Sequence, residues 1–482
     1  MTFLEKKPPK MQFNGVILLI GADRYLKKGF IMLIQFVAKN YLSFSNVDEC
    51  IFKMTATSDS RHSNHVANVE GHKLNLLRTA AIYGANAAGK TNLVKALYFL
   101  RSLLIKGTQP KSKIALNRFK LNSSSRSEPA RFEIEILQED IHYSYGIVLD
   151  EERILEEWLF ETKPNGRETM LFERASSKNG ESKFEFGARL RESGLDFLSF
   201  VAKGTRPEQP FASEAELRNI KQIQPFLNWF RDTLVIIPAD SKYKPLEMRI
   251  HQDQEFANHL GNFLRAAGTG IESIGSASED LEFAKHFPGM SDDLKQQILS
   301  TLDGKNAVMI DSGKGPSSND LKIITGTIDK PILIKLNTIH KGLDGKEVSF
   351  SFKDESSGTQ RLIHLFPVLF SLKQSKKVYV VDELERSLHP LLSRLFISTF
   401  LDSAVTRNQL IFSTHEECLL DLDLLRRDEI WFMEKGPDQA SKCYPLTEFK
   451  IRPDLEIRKG YLAGRFGAIP FFGDLSFSEQ AE

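Results

Sequence analysis

The chain has 482 residues, 41% hydrophobic and 26% charged, which is enough for two or three domains with a sizeable apolar core. Its 64 Lys and Arg against 63 Asp and Glu leave a formal charge of +1, so no global electrostatic field marks it for nucleic acid or for a membrane surface, although a local basic patch is left open. Three cysteines, Cys50, Cys418 and Cys443, are odd in number and far apart, which argues against a disulfide framework and for a reducing compartment.

Residues 1–31 differ from the rest: a charged, proline-containing start, the apolar pentad Val16 to Ile20, then Lys27-Lys28-Gly29. The pentad is shorter than the about 7–15 residues of a signal-peptide core, and no run approaches the about 18 needed to cross a bilayer, so a cytoplasmic protein without a membrane partner is expected. Met32 is a candidate start, and a native extra strand or arm is the alternative. From Met32 to about Leu149 the pattern reads as strands. Phe132 to Ile136 alternates with period two, and Tyr143 to Ile147 is its neighbour across a turn at Gln138 to Asp140. His62, His65 and His72 share one polar stretch and read as a solvated loop rather than a metal site.

The most informative stretch is Gly84-Ala85-Asn86-Ala87-Ala88-Gly89-Lys90-Thr91, which fits the phosphate-binding loop G-x-x-x-x-G-K-[ST] without mismatch. The apolar run Ala80 to Tyr83 precedes it as a strand, and Leu93, Ala96, Leu97, Leu100 and Leu104 follow at helical spacing. Glycines let backbone N–H groups close around phosphate oxygens, Lys90 reaches the β- and γ-phosphates, and the Thr91 hydroxyl binds Mg²⁺. ATP and Mg²⁺ are the expected ligands.

After about residue 205 the pattern turns helical, with Leu217, Ile220, Ile223, Phe226, Leu227 and Phe230 near helical spacing and further helices at Phe256 to Ala267 and Leu294 to Leu302. An inserted helical lobe over 205–320 is expected, flanked by two parts of one head at 32–204 and 321–482. Strands return at Pro331 to Leu336 and Val348 to Phe352, joined by an Asp344-Gly345 turn. Ser357-Gly358-Thr359-Gln360-Arg361 then opens an amphipathic helix, another anion seat. Val378 to Val381 leads into the acidic pair Asp382-Glu383. At the edge of a parallel sheet Asp382 would hold the Mg²⁺ shell and Glu383 would orient and deprotonate water, the two side chains pointing opposite ways by strand alternation. Ser387-Leu388-His389-Pro390 and the strand Gln409 to Ser413, which delivers Thr414-His415-Glu416, complete the set. Arg426-Arg427 and Lys373, Lys376 and Lys377 read as solvated charge rather than contacts to a nucleic-acid backbone.

These motifs, in this order, resemble the nucleotide-binding head of ABC-type ATPases of the RecF/SMC branch, which implies an α/β P-loop head. In that resemblance Ser357, Gly358 and Thr359 match the signature, with Thr359 departing from its second glycine. Glu383 matches the catalytic base and His415 the switch histidine. Asn86 and Asn92 belong to the nucleotide loop with Gly84, Gly89, Lys90 and Thr91. No Q-loop glutamine is assigned; Gln138 is the residue considered. More closely, the chain is similar to bacterial AAA-15-type ATPases of abortive-infection and anti-phage systems, through the motifs above together with Asn40-Tyr41-Leu42-Ser43-Phe44, Leu425 to Phe432 and Gly464-Arg465-Phe466-Gly467-Ala468-Ile469-Pro470. The resemblance implies an ATPase whose two heads sandwich ATP, as a dimer or larger homo-oligomer, and which controls an effector protein encoded nearby. A DNA-repair ATPase and a slow-turnover nucleotide-dependent scaffold are the alternatives.

Overall fold

A computed structural model of the protein describes residues 29–177, 181–239, 246–302, 308–311, 321–373, 375–402, 408–450 and 456–469. Most of the expected N-terminal extension, including Val16 to Ile20, and Pro470 of the C-terminal motif lie outside the described residues.

A six-stranded sheet carries the motifs, in the spatial order Leu234–Ile237, Val378–Val381, Gln409–Thr414, Thr79–Tyr83, Ile430–Lys435, Ser441–Pro445. Neighbours are parallel up to Ile430–Lys435, and only the last strand is antiparallel. Parallel strands are buried on both faces and so read as continuous apolar runs. Alternation then sorts their side chains: Ala80, Ile82, Val378 and Val380 face one core, while Ala81, Tyr83, Tyr379 and Val381 face the other. The first core also takes Leu93, Leu97, Leu100 and Leu104 of the helix Lys90–Lys106 and the inner face of a seven-stranded sheet. Truncating one such buried leucine to alanine costs about 2–5 kcal/mol. The second core is closed by the helices Gln254–Ala266, Ser357–Phe370 and Pro390–Asp402.

In the seven-stranded sheet Ala130–Gln138 and Ile141–Leu149 pair antiparallel, as the alternation predicts. Glu139 and Asp140 between them both take positive φ, 53° and 64°, the geometry of a two-residue hairpin turn. This is the α/β class expected for a P-loop head.

The stretch 205–320, expected to be a helical lobe, is helical only in part. Phe211–Leu217 and Gln224–Asn228 are helices, but Phe211, Phe226 and Phe230 pack into the first core, and Leu234–Ile237 is an edge strand of the six-stranded sheet. The later part of the stretch is largely β. Ile271–Asp280, Val308–Asp311, Leu321–Gly326, Pro331–Lys341 and Glu347–Ser351 form a five-stranded sheet, with Gln254–Ala266 packed on Ile271–Asp280. The Asp344-Gly345 turn lies in the loop between the last two strands, with Gly345 at φ 78°. Ile271–Asp280 buries only Ile271 and Ile274 and otherwise carries Ser, Gly, Ala, Glu and Asp, so no apolar run announces it.

Two polar readings also change. His65 is buried, not solvated: its ring stacks on His62 and its Nδ1 lies 3.1 Å from both carboxylate oxygens of Glu429. Arg426 is 1% exposed, its Nε donating to Asp428 at 2.9 Å and its Nη1 to the Asp59 carbonyl at 2.8 Å. Lys376 donates to the Gly29 carbonyl at 2.6 Å, and Lys377 to that of Asp232. Cys50 and Cys443, distant in sequence, touch through their thiols and are both free.

Candidate nucleotide site

Four parallel strands deliver chain to one edge of the sheet: Tyr83 runs into Gly84, Val381 into Asp382, Thr414 into His415 and Ile237 into Pro238. Ligands of open parallel sheets bind outside these C-terminal ends.

The loop Gly84 to Gly89 is shaped by close approach. A Cβ on Gly84 would lie 2.3 Å from the Met433 carbonyl oxygen. Gly89 has φ +114°, and a Cβ there would sit 2.2 Å from the Ser441 hydroxyl. Asn86 and Ala87 form the exposed crown. Gly89 caps Lys90–Lys106, a helix of 17 residues with no side-chain cap, so its first N–H groups and dipole are left for an anion. The far end of the loop is braced by hydroxyls. Asn92 Nδ2 donates to Ser43 Oγ at 2.8 Å, Ser441 Oγ lies 2.7 Å from Ser43 Oγ, and Ser441 donates to the Ala88 carbonyl at 2.6 Å. Ser43 is legible only as part of the Asn40 to Phe44 motif, and nothing in the sequence singles out Ser441.

Lys90 is 5% exposed. Its ammonium donates to the carbonyls of Gly84 and Ala85 at 2.8 and 3.1 Å and lies 3.5 Å from His415 Nδ1. Burial pushes its pKa down to about 8, against the opposing pull of Glu385, Asp382 and Glu383. His415 has its outer side exposed; desolvation of the inner side, and then Lys90, hold its pKa below the ordinary value.

The acidic pair is not part of the strand, which ends at Val381. Asp382 is 2% exposed and its Oδ1 accepts from Ser413 Oγ at 2.5 Å. Glu383 turns into the left-handed region, φ 47°, with its N–H donating to the same Ser413 oxygen at 2.8 Å and its carboxylate 3.7 Å from Arg386. The two carboxylates are therefore separated by a turn about Ser413 rather than by strand alternation. Asp382 N also donates to the Ile237 carbonyl at 2.9 Å, placing Pro238 beside the acidic loop. By its sequence pattern that segment belongs to the helical lobe; in the fold it borders the site. Gln138, by contrast, pairs with Ile31 at the opposite end of the strand Ile31–Lys39 from the Ser43 side.

The signature residues are a separate group. Ser356, not Ser357, caps the helix Ser357–Phe370, accepting from Thr359 N at 3.1 Å, and its hydroxyl lies 2.9 Å from that of Thr359. Ser357 is exposed, and Gly358 stands against the Ser387 carbonyl of the same chain. Arg361, 6% exposed, donates to the carbonyls of Asp382 and Glu383 at 3.2 and 3.1 Å, so the signature helix is fastened to the back of the acidic loop.

A family model described as "AAA domain, putative AbiEii toxin, Type IV TA system" matches residues 80–421, from the phosphate-loop strand past His415. Similar solved structures include an SMC head bound to the C-winged helix domain of ScpA, at 13% identity and TM-score 0.36 over 86% of this chain and 97% of that one. The SMC head domain from Thermotoga maritima matches at 12% and 0.30, covering 87% and 99%. An Smc head domain with an extended coiled coil bound to the C-terminal domain of ScpA, derived from Pyrococcus furiosus, matches at 11% and 0.31, covering 90% and 99%. No curated protein matches the sequence.

Proposed function

The chain belongs to the AAA-domain family whose model it matches, and from that premise we propose that it binds and hydrolyses Mg-ATP and uses ATP-driven association of two heads to control a partner protein. The observation that carries this reading is the convergence of an uncapped 17-residue helix behind a glycine loop, a buried carboxylate and a histidine at one sheet edge.

The donor set suits Mg²⁺, a hard cation that prefers oxygen: the Thr91 hydroxyl follows Lys90 at the helix start and the Asp382 carboxylate is held by Ser413. When bound there the ion would neutralise charge on the phosphoryl group in transfer. Thr91 and Asp382 would hold it. Backbone N–H groups of the Gly84, Asn86 and Gly89 loop would take the phosphates, with Asn92 steadying the first helical turn through Ser43. Lys90, released from the Gly84 and Ala85 carbonyls, would turn its ammonium to the β- and γ-phosphates. Glu383 would orient the attacking water and accept its proton on a carboxylate oxygen, and His415 would meet the γ-phosphate.

Thr359 is buried against Ser356 and Gly358 stands against Ser387, while Ser357 is exposed at the start of the helix, a placement that suits a nucleotide held by a second head. A defence role draws support from the resemblance of the motifs and from a family description that names a toxin of a toxin–antitoxin system, and the separate effector rests on the resemblance of the motifs alone. Contacts to a DNA backbone draw no support from Lys376, Lys377 and Arg426, whose side chains are spent on carbonyls and carboxylates of the chain itself.

The experiment is light scattering of Glu383→Gln with and without Mg-ATP. ATP is expected to trap an even-numbered assembly; a monomer at saturating ATP refutes the sandwich. DNA-stimulated hydrolysis that salt abolishes would favour the DNA-repair reading.

A further inference from the structure

The acidic loop carries a third carboxylate, two residues past Glu383. Glu385 Oε1 accepts the backbone N–H of His415 at 2.6 Å, while its Oε2 is buried without a hydrogen-bond partner among the described residues. Around it, Leu384 N donates to the Ser413 carbonyl at 3.1 Å and Glu383 N to the Ser413 hydroxyl at 2.8 Å. Three successive residues thus fasten the acidic loop to the end of Gln409–Thr414, and Glu385 is the one that reaches the histidine itself. Of the site's carboxylates, Glu385 exerts the strongest pull on both Lys90 and His415, ahead of Asp382 and Glu383. Glu383 instead leans toward Arg386, 3.7 Å away.

We propose that Glu385 is a positioning residue of the hydrolytic site, pinning the His415 turn to the acidic loop so that the imidazole stays beside Lys90. The inference rests on the ATPase reading for its use, but not for the contact itself. A hydrogen bond to a carboxylate in a partly desolvated place is among the stronger ones, and with Oε2 buried and unpartnered the His415 N–H is the carboxylate's one bonded partner among the described residues. With the bond broken, His415 would be free to leave the 3.5 Å contact with Lys90, and the site would still take nucleotide through the loop and helix.

The test uses the full chain with Glu385→Ala, Glu385→Gln and Glu385→Asp. Alanine removes the acceptor, glutamine keeps an oxygen at the same reach, and aspartate keeps the charge but withdraws the oxygen by one methylene. Glu385→Ala and Glu385→Asp are expected to lose about tenfold or more in kcat with KM within about threefold of the parent, and Glu385→Gln to recover most of that loss. Amide hydrogen exchange at His415 is expected to quicken about tenfold or more in the alanine and aspartate proteins and not in the glutamine one. Aspartate serves alone if alanine does not fold. Parental kcat in the aspartate variant, a loss shared equally with KM, or unchanged exchange at His415 would overturn the proposal. If the parent hydrolyses no ATP, the ATPase reading fails, and the exchange measurement still decides the contact.

Discussion

Gly358 packs so closely on the Ser387 carbonyl oxygen that a Cβ at its position would lie 2.6 Å from it. The contact joins the signature helix to the Ser387 to Pro390 turn inside one head. A charge installed at Gly358 would therefore disturb its own head before it met a second one. Ser357 is the better probe, being exposed at the first turn of the helix. Ser357→Asp is expected to bind Mg-ATP as the parent does, to keep its melting temperature, and to lose both ATP-dependent association and hydrolysis. Gly358→Asp is expected to lower the melting temperature as well. Parental turnover in Ser357→Asp would contradict a seat for the second head's nucleotide.

Gly89 is fixed twice over, by φ +114° and by Ser441 Oγ, which lies 2.2 Å from where a Cβ would stand. Gly89→Ala is expected to lower nucleotide affinity about tenfold or more and to destabilise the chain by roughly 1–3 kcal/mol. Ser441→Ala removes the nearest atom but leaves the Cβ of residue 441 at 2.8 Å, the Ser43 Oγ at 2.9 Å and the backbone strain, so the double variant should recover only part of the stability. Nucleotide titration and urea midpoints on the three proteins check this, and full recovery in the double variant would mean that the Ser441 hydroxyl alone excludes a side chain at Gly89 and that neither the backbone strain nor the remaining close contacts matter.

Asp382 and Glu383 meet one hydroxyl, that of Ser413, from different sides: one by its carboxylate, the other by its backbone N–H. Asp382→Asn is expected to weaken Mg²⁺-dependent ATP binding. Glu383→Gln is expected to bind as the parent does and turn over slowly. Ser413→Ala, which frees both, should impair binding and turnover together. Equal losses of affinity in Asp382→Asn and Glu383→Gln would contradict the division.

His65 supplies a pH dependence. Burial, then Arg78 and Arg426, lower its pKa to about 4 despite Asp402 and Asp428 nearby, and Glu429 faces its ring. Below pH 6.5 the unfolded chain takes up a proton that the folded chain refuses, so stability falls as pH drops from 6.5 toward 4, by roughly 3 kcal/mol at most. Burial raises the pKa of Glu429, which acts in the opposite sense: its carboxyl favours the folded state at low pH and loses that advantage as pH rises. His65→Gln isolates the histidine. Its urea midpoint is expected to fall less than the parent's between pH 6.5 and 4, and parallel curves would contradict the assignment.

The phosphate loop, its strand and its helix were legible because each carries a local pattern: glycine spacing, an apolar run, a helical period. The strand Leu234–Ile237 was not, although it is as apolar as Val378–Val381, because it follows helices directly and its partner lies far along the chain. The five-stranded sheet of the lobe was half hidden for a different reason. Glu347–Ser351 showed alternation, yet Ile271–Asp280 exposes much of its length and reads as polar. At the candidate site, residue types with a spacing rule can be given a role from the sequence, whereas Ser413 and Glu385 lie inside recognisable motifs without one, and Ser441 lies in none. Ser413, Ser441 and Glu385 stand out only once the sheet order sets them beside Asp382, Ala88 and His415. Buried His65 looked solvated since Glu429, the group that makes its burial tolerable, is 364 residues away.

The most direct test is phosphate release from Mg-ATP by the purified chain beside Lys90→Ala. Lys90 serves the loop rather than the core, its ammonium bonded to the Gly84 and Ala85 carbonyls, so the variant is expected to fold with a melting temperature near the parent's. Turnover by the parent and its loss in Lys90→Ala is the predicted result; equal turnover in the two proteins, or no nucleotide bound by the parent, would contradict the account.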